Sequence, residues 1–323
     1  MGLASCRSAF SQRLIELAEA DGRICVVATD SRGSVTIGGF AERYPNRFIE
    51  CGIAEQDATG IAAGLSKIGN TVFLTGPACF LSARAYEQVK TDIAYNMTNV
   101  KIIGVSAGVS YGPLGGTHTT LHDLAGMRAL ANLAVFAPAD DVQTRWLTDY
   151  LAANPGPAYV RMGRGDVERV YQPGETFEAG RAKTVCEGED ITIIACGETV
   201  YPARLAAELL AARGVSARVL DMFTIKPIDT GAVIRAARET SAILTVEEHG
   251  VNGGLGEAVA RIVCENEPVM MKALGFPDEE ILIGSPRELF GAYGLTGQKI
   301  MEEAVALLDR AARSNAAGRK GGA

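Results

Sequence analysis

Apolar and polar positions along this chain fall into two alternating patterns. Residues 8–20 place Phe10, Leu14, Leu17 and Ala18 on one face at helical spacing. Ile24 to Ala28 then form an uninterrupted apolar run, which predicts a short buried strand. From there the patterns trade places: helix near 56–67, strand 71–74, helix 83–95, strand 100–105. A glycine-rich loop at 107–117 follows, then helix 120–130, strand 133–136, helix 140–152 and strand 157–161. Strands without a polar face, separated by helices of this length, predict a parallel sheet covered on both sides. Turn formers gather from Gly163-Arg164-Gly165 to Gly174-Glu175, where an interdomain linker is expected to start. The alternation resumes with strand 191–196, helix 201–212, strand 216–220, helix 230–238, strand 242–246 and helix 255–264. A final helix covers about 296–312.

The expected fold class is α/β with two domains, each a mostly parallel β-sheet flanked by helices. The first spans 1–166, a linker 167–184 and the second 185–314, and 315–323 is expected to be a disordered tail. A length of 323 residues lets each domain bury its own core.

Composition narrows the partners. A net charge of -7 gives no reason to expect nucleic acid or an anionic membrane. The seven cysteines are scattered, with no CxxC pair. Several sit in apolar runs such as Ile24-Cys25-Val26-Val27 and Ile193-Ile194-Ala195-Cys196, as small hydrophobes of a reducing compartment do. No apolar stretch is long enough to span a membrane, and the amino end does not read as a signal peptide. A cytoplasmic enzyme subunit is the expectation.

The chemistry concentrates in Phe48-Ile49-Glu50-Cys51-Gly52-Ile53-Ala54-Glu55-Gln56-Asp57. A strand-end loop enters a helix here, and Glu55 stands at the junction. A carboxylate there complements the helix dipole, whatever else it does. The run 52–56 (GIAEQ), with 115–128 (GGTHTTLHDLAGMR) and 136–140 (FAPAD), resembles the transketolase and deoxyxylulose-phosphate synthase family of thiamine-diphosphate enzymes. Asp221 to Asp229, Val246 to Gly250 and Gly253-Gly254-Leu255-Gly256 resemble the carboxy-terminal domain of transketolases. The resemblance covers nearly the whole chain, with the two halves in the family's order.

The resemblance implies thiamine diphosphate as cofactor, with Glu55 hydrogen-bonded to N1′ of its aminopyrimidine and kept dry by Ile53, Ala54 and Ile61. It assigns Phe80 as the aromatic platform, with Phe73 as the fallback, and Asp30 near the thiazolium. His118 contacts the substrate's hydroxyl and carbonyl oxygens. Arg7, Ser34 and Arg164 fall on positions that bind the sugar phosphate, where an arginine fork suits the anion. Tyr86 is read as helix packing, His122 as a residue behind the site or at a helix start, and His249 carries no catalytic role.

Two positions depart from the family. Leu114 falls where an aspartate reads hydroxyl stereochemistry, and Ser106 where a second histidine binds phosphate. The phosphate clamp is partly kept and the hydroxyl reader lost. A branched ketose phosphate such as apulose 4-phosphate, or a sulfonated sugar, fits better than plain xylulose phosphate.

The family's diphosphate-binding domain carries Gly-Asp-Gly followed by an asparagine, which hold Mg²⁺. This sequence has no Gly-Asp-Gly; Ala20-Asp21-Gly22-Arg23 and Gly188-Glu189-Asp190 come nearest. It has no GxxxxGK, and no GxGxxG at a strand–helix junction. The expectation is therefore one subunit of a split transketolase, with no metal site of its own. Cofactor is shared with an N-terminal subunit that holds Mg²⁺, in a heterotetramer of two copies of each. The reaction would move a two-carbon ketol unit between sugar phosphates. The alternatives are a deoxyxylulose-phosphate synthase-like or 2-oxoacid dehydrogenase E1 β-like subunit, and a non-catalytic scaffold. Thr117-His118 and the phosphate residues speak against the dehydrogenase, Glu55 against the scaffold.

Overall fold

The structure, a computed structural model, describes residues 2–320. The chain opens with β1 (Leu3–Ala4) and α1 (Cys6–Ala20), which Ser5 caps by accepting from the Ser8 amide. Next come β2 (Ile24–Ala28), the short helices α2 (Arg32–Val35) and α3 (Gly38–Arg43), β3 (Phe48–Glu50), α4 (Glu55–Lys67) and β4 (Thr71–Pro77). Helices α5 (Ala78–Ala83) and α6 (Tyr86–Gln88) and a π-helical turn, Val89–Tyr95, lead into β5 (Val100–Val105). The first half closes with α7 (Asp123–Ala129), β6 (Ala134–Phe136), α8 (Asp141–Ala153), β7 (Ala158–Met162) and β8 (Val167–Glu168). The second half holds β9 (Lys183–Cys186), β10 (Ile191–Ala195), α9 (Val200–Ala211), β11 (Ala217–Asp221), β12 (Thr224–Lys226) and α10 (Thr230–Glu239). It ends with β13 (Ala242–Gly250), α11 (Leu255–Asn266), β14 (Met270–Phe276), α12 (Pro286–Ala292) and α13 (Gly297–Lys320).

The first sheet has seven strands in the order β12-β6-β7-β5-β4-β2-β3, the second five in the order β14-β13-β10-β11-β9. All neighbours are parallel except the edge pairs β12–β6 and β9–β11. Strand β2 shows why its run has no polar face. Ile24 and Val26 pack with Phe10, Leu14 and Phe73 on one side, and Cys25 and Val27 with Ala58, Ala62 and Leu81 on the other.

The α/β architecture agrees with the sequence reading, and the differences are local. The helix expected over 83–95 starts at Ala78, directly after Pro77, and is broken into pieces. Strand β12 leaves the second half to pair with β6 at the edge of the first sheet. Strand β14, absent from the sequence reading, is an apolar run interrupted by Lys272 and Gly275 and is only partly buried. The last helix continues to Lys320, so the backbone of 315–320 is helical where a disordered tail is expected; 321–323 lie outside the described residues.

A buried polar cluster joins the halves. Arg161 on β7 donates from Nη1 to the Glu248 carbonyl at 2.9 Å, and its Nε lies 3.0 Å from Asp123 Oδ2. Asp123 also accepts from the Tyr159 hydroxyl at 2.8 Å. The Glu248 carboxylate accepts from the Val109 amide at 2.8 Å. Gly108 is required beside it: its φ is +61°, and a Cβ there would lie 2.1 Å from the Glu248 carboxyl carbon. Burial pushes the Glu248 and Glu198 carboxyls well above the usual carboxylate range, and the charge of Glu198 adds to the effect on Glu248. Both acids line one small cavity with Arg161.

An acid whose pKa is raised by folding stabilises the fold below its unfolded pKa, and that contribution fades as pH climbs through the folded value. The window here runs from about pH 4.5 to about pH 8. Unfolding free energy measured in urea should therefore fall between pH 5 and pH 8. Glu248→Gln should flatten that fall by roughly 1 kcal/mol per pH unit, the linkage of one proton. An unchanged pH profile in the variant would show that Glu248 is ionised throughout.

Candidate active site

Strands β2, β3, β4, β5 and β7 all end on one edge of the first sheet, where the chain leaves each of them in a loop or, after β4, directly in a helix. Such an edge gathers side chains from segments distant in sequence. Here they enclose a cleft of about 380 Å³. The segment after β2, running into α2, supplies Thr29, Asp30, Ser31 and Ser34, and the segment after β3, running into α4, supplies Ile53 and Glu55. Pro77, Phe80 and Arg84 come from β4 and the helical segment after it, and Tyr111, Leu114 and His118 from the loop after β5.

Glu55 is the first residue of α4, and its side chain is 1 % exposed. Arg84 Nη1 donates to its Oε2 at 2.6 Å. The same guanidinium lies 4.8 Å from the Phe80 ring centre. Phe80 meets the His118 ring edge-on at 5.5 Å, and Tyr111 meets it from another direction at 5.8 Å. His118 Nδ1 is 2.9 Å from Thr117 Oγ1. The sequence therefore brings Glu55, Phe80 and His118 into one cleft.

Asp30 sits beside them at φ +51°, a conformation uncommon outside glycine. Its amide donates to Glu50 Oε1 at 2.7 Å, and Gly52 donates to the same oxygen at 3.2 Å, so Glu50 ties two of the loops together.

Arg7, Ser34 and Arg164 also converge. Arg164 Nη1 donates to Ser34 Oγ at 3.1 Å and to the Tyr111 hydroxyl at 2.6 Å. Arg7 Nη1 donates to the Ser34 carbonyl at 2.5 Å. Burial and the nearby Arg164 charge lower the Arg7 pKa, yet a guanidinium starts so high that it stays charged. Two like charges held this close favour an anion. Neither arginine lines the cleft itself; Ser34 and Tyr111 stand in front of them.

Other expected residues lie differently. Phe73, the fallback platform, is fully buried in β4 against Phe10 and lies in the core, because alternate residues of that strand face the α1 layer. Ser106 follows β5 at φ +56°, buried, with no partner for its Oγ, and does not line the cleft. Leu114 does line it and is 56 % exposed. His122 is exposed at the start of α7, Tyr86 packs on α7 through Gly126, and His249 is buried, its pKa lowered by burial to about 4.

Sequence reasoning missed Arg84, Tyr111, Thr29 and Ser31. Arg84 follows Phe80 by four residues, a helical spacing that could have been read. The hydroxyls of Thr29 and Ser31 are buried in the cleft lining without a hydrogen-bond partner. Polar atoms so placed call for a ligand. With a buried carboxylate and an aromatic ring beside them, they fit an aminopyrimidine-bearing cofactor.

Residues 4–169 match the transketolase pyrimidine binding domain and residues 180–300 the transketolase C-terminal domain. The chain belongs to the transketolase family. It is 50% identical to one of the subunits of an apulose-4-phosphate transketolase of Phocaeicola vulgatus, over 94% of this chain and 97% of that one. It is 36% identical to a 6-deoxy-6-sulfo-D-fructose transketolase subunit of a Clostridium species, over 94% of each. Among solved structures, a split gene transketolase described as an inactive beta4 tetramer superposes with a TM-score of 0.86 at 39% identity, over 96% of this chain and 98% of that one. This chain thus carries the pyrimidine-binding and C-terminal domains of the family, and these relatives, which it matches over nearly their whole length, are described as transketolase subunits or as a split gene transketolase. The deoxyxylulose-phosphate synthase, dehydrogenase and scaffold alternatives are not favoured by these relatives.

The Glu55–Arg84 pair is open to a stability test. Arg84→Met keeps apolar length over Phe80 but leaves the buried carboxylate unpaired. Because the guanidinium is 46% exposed and partly screened, the loss should be roughly 1–3 kcal/mol in chemical denaturation. Glu55→Gln combined with Arg84→Met should cost less than the sum of the two single changes. Strict additivity would show that the pair is not coupled.

Proposed function

We propose that this chain supplies the aminopyrimidine half of a thiamine-diphosphate site and works as one subunit of a split transketolase. It moves a two-carbon ketol unit from a branched or modified ketose phosphate, such as apulose 4-phosphate, to an aldehyde or ketone acceptor. The observation that carries this reading is Glu55: a buried carboxylate at a helix start, facing a cleft that also holds Phe80 and His118.

When bound, the cofactor supplies a C2 carbanion and an electron sink. Everything else is the work of side chains. Arg84 engages Glu55 Oε2, so Oε1 is the oxygen assigned to hold a proton at N1′. Phe80 would support the pyrimidine ring, Asp30 would serve the thiazolium side, and Thr29 and Ser31 would offer hydroxyls to the cofactor. His118, held between Phe80 and Tyr111, is positioned to hydrogen-bond substrate oxygens and to hold or release a proton there. Arg7, Ser34 and Arg164 bind the phosphate. Leu114 sets an apolar surface where an ordinary ketose needs a hydroxyl acceptor. The names of the relatives at 50% and 36% identity, one for a branched sugar phosphate and one for a sulfonated sugar, agree with that loss.

A partner chain carries the diphosphate site and its Mg²⁺, in a complex of two copies of each subunit. Supporting this, Ile53 and Leu114 in the cleft, with Leu282 and Ile283, are large apolar side chains left exposed. A partner would cover them. No nucleic acid or membrane enters the scheme; no helix among the described residues is long and apolar enough to cross a membrane. The complex is assigned to the cytoplasm.

The chain alone should bind thiamine diphosphate weakly with Mg²⁺ in calorimetry and show no transferase activity; the reconstituted complex should do both. Turnover by the isolated chain would sink the split reading. In the complex, Glu55→Gln should slow C2 hydrogen–deuterium exchange of bound cofactor by about a hundredfold or more, as expected for a lost proton-transfer group. Exchange at the parent rate would reduce Glu55 to a helix-start acid.

Leu114→Asp tests selectivity. It should shift the kcat/KM ratio toward xylulose 5-phosphate over apulose 4-phosphate by about tenfold to a hundredfold, the worth of one substrate hydrogen bond. A donor competition in the complex reads that ratio directly. No change, with normal cofactor binding, would mean that Leu114 does not meet the substrate.

A further inference from the structure

Position 106 raises a question that Tyr111 answers. The phosphate clamp is expected to include a polar side chain at 106, but Ser106 is buried, its Oγ has no partner, and it is absent from the cleft lining. Arg7 and Arg164 stand behind the lining and do not form it. The groups that bring the clamp to the cleft are Ser34 and Tyr111. We propose that Tyr111 is a specificity-determining residue whose hydroxyl presents the charge of the arginines to the substrate phosphate and replaces the donor lost at 106. This rests on the phosphate reading of Arg7, Ser34 and Arg164 given above.

Hydrogen-bond direction makes the argument. A guanidinium only donates, so at 2.6 Å the Tyr111 oxygen accepts from Arg164 Nη1. The phenolic proton is left to donate. Without an anion it has Ser34 Oγ at 3.0 Å; with one, a phosphate oxygen is the stronger acceptor. Accepting a charge-assisted bond polarises the O–H and improves it as a donor. The Arg164 guanidinium carbon also lies 5.0 Å from the Tyr111 ring centre, so the ring has little freedom to turn away.

The same ring meets His118 at 5.8 Å, nearly perpendicular to it. One side chain therefore touches both the phosphate clamp and the imidazole assigned to the substrate's oxygens. Its loop is held from outside: the next residue, Gly112, approaches the Gly284 carbonyl so closely that a Cβ would lie 2.4 Å from it. The hydroxyl and the ring are thus separable. The first reads phosphate, and the second positions His118.

The test uses two variants in the complex with the partner subunit. Donors are apulose 4-phosphate and dephosphorylated apulose, and inorganic phosphate is titrated by calorimetry. Tyr111→Phe removes only the hydroxyl. Its preference for the phosphorylated over the dephosphorylated donor, as a kcat/KM ratio, should fall about tenfold, with the loss in KM, and phosphate affinity should fall in parallel. Tyr111→Leu also removes the ring and should lower kcat beyond the Phe variant, because His118 loses its lateral support. If the parent prefers the phosphorylated donor and Tyr111→Phe matches or exceeds it, the inference about Tyr111 is overturned while the phosphate clamp stands. If the parent treats both donors alike, the phosphate reading fails and this inference fails with it. A Tyr111→Leu variant with the kcat of the Phe variant overturns the positioning role alone.

Discussion

Arg161 is a guanidinium placed almost entirely out of water, and the geometry of the site follows from how its charge is satisfied. An unpaired buried charge costs several kcal/mol, a large share of a domain's margin of stability, so its partners are held in place. Those three partners come from two segments: Asp123 at the start of α7 with the Thr120 carbonyl just before it, and the Glu248 carbonyl on β13. Three residues after Arg161 comes Arg164, and five before Asp123 comes His118. Satisfying one charge thereby sets the origin of two cleft-side loops. Among the described residues the second domain contributes no side chain to the cleft lining, yet it shapes the cleft through Glu248, which packs against Gly108 and holds the Val109 amide.

Across the cleft, the contacts form one line. Glu55 pairs with Arg84, Arg84 covers Phe80, Phe80 abuts His118, His118 abuts Tyr111, and Tyr111 meets Arg164. Charged groups and rings alternate along part of it, an arrangement in which a planar cation gains from a π-face without losing its hydrogen bonds. Such a line restricts rotamers at every member. Preorganisation of this kind lets a site hold substrate and cofactor without reordering at each turnover. The same coupling means that a change at either end has a physical route to the other.

The parts of this arrangement differ in how far the sequence exposes them. Strand β2 is legible because both its faces are buried, which leaves a run with no polar residue. Strands β3 and β12 have three residues each, too few for any period to show, and β12 pairs with a strand of the other half. Glu55 and His118 are legible through their flanking motifs and because both follow strands at the sheet's carboxyl edge. Tyr111 is not, since its meaning depends on Arg164 and Ser34, 53 and 77 residues away. Phe73 could not be separated from Phe80 by composition; only the alternation of β4 shows that it faces the α1 layer. Ser106 is aligned with a ligand position but turns into the core.

Exposure around the cleft bears on what assembly would do to its electrostatics. Arg84 is 46% exposed while the carboxylate it holds is almost wholly buried, so water screens one end of the pair and not the other. Ile53 and Leu114, exposed at 75% and 56%, lie in the same cleft. In the proposed complex, a partner surface seated on them removes water from apolar groups and from the guanidinium together. The first effect favours association in proportion to the area covered. The second lowers the local dielectric and strengthens every charge interaction left inside. Covering the cleft would therefore tighten the hold of Arg84 on Glu55 Oε2 while it dries the space facing Oε1. That ties the carboxylate proposed to activate the cofactor to assembly through solvent exclusion, with no movement of the backbone required.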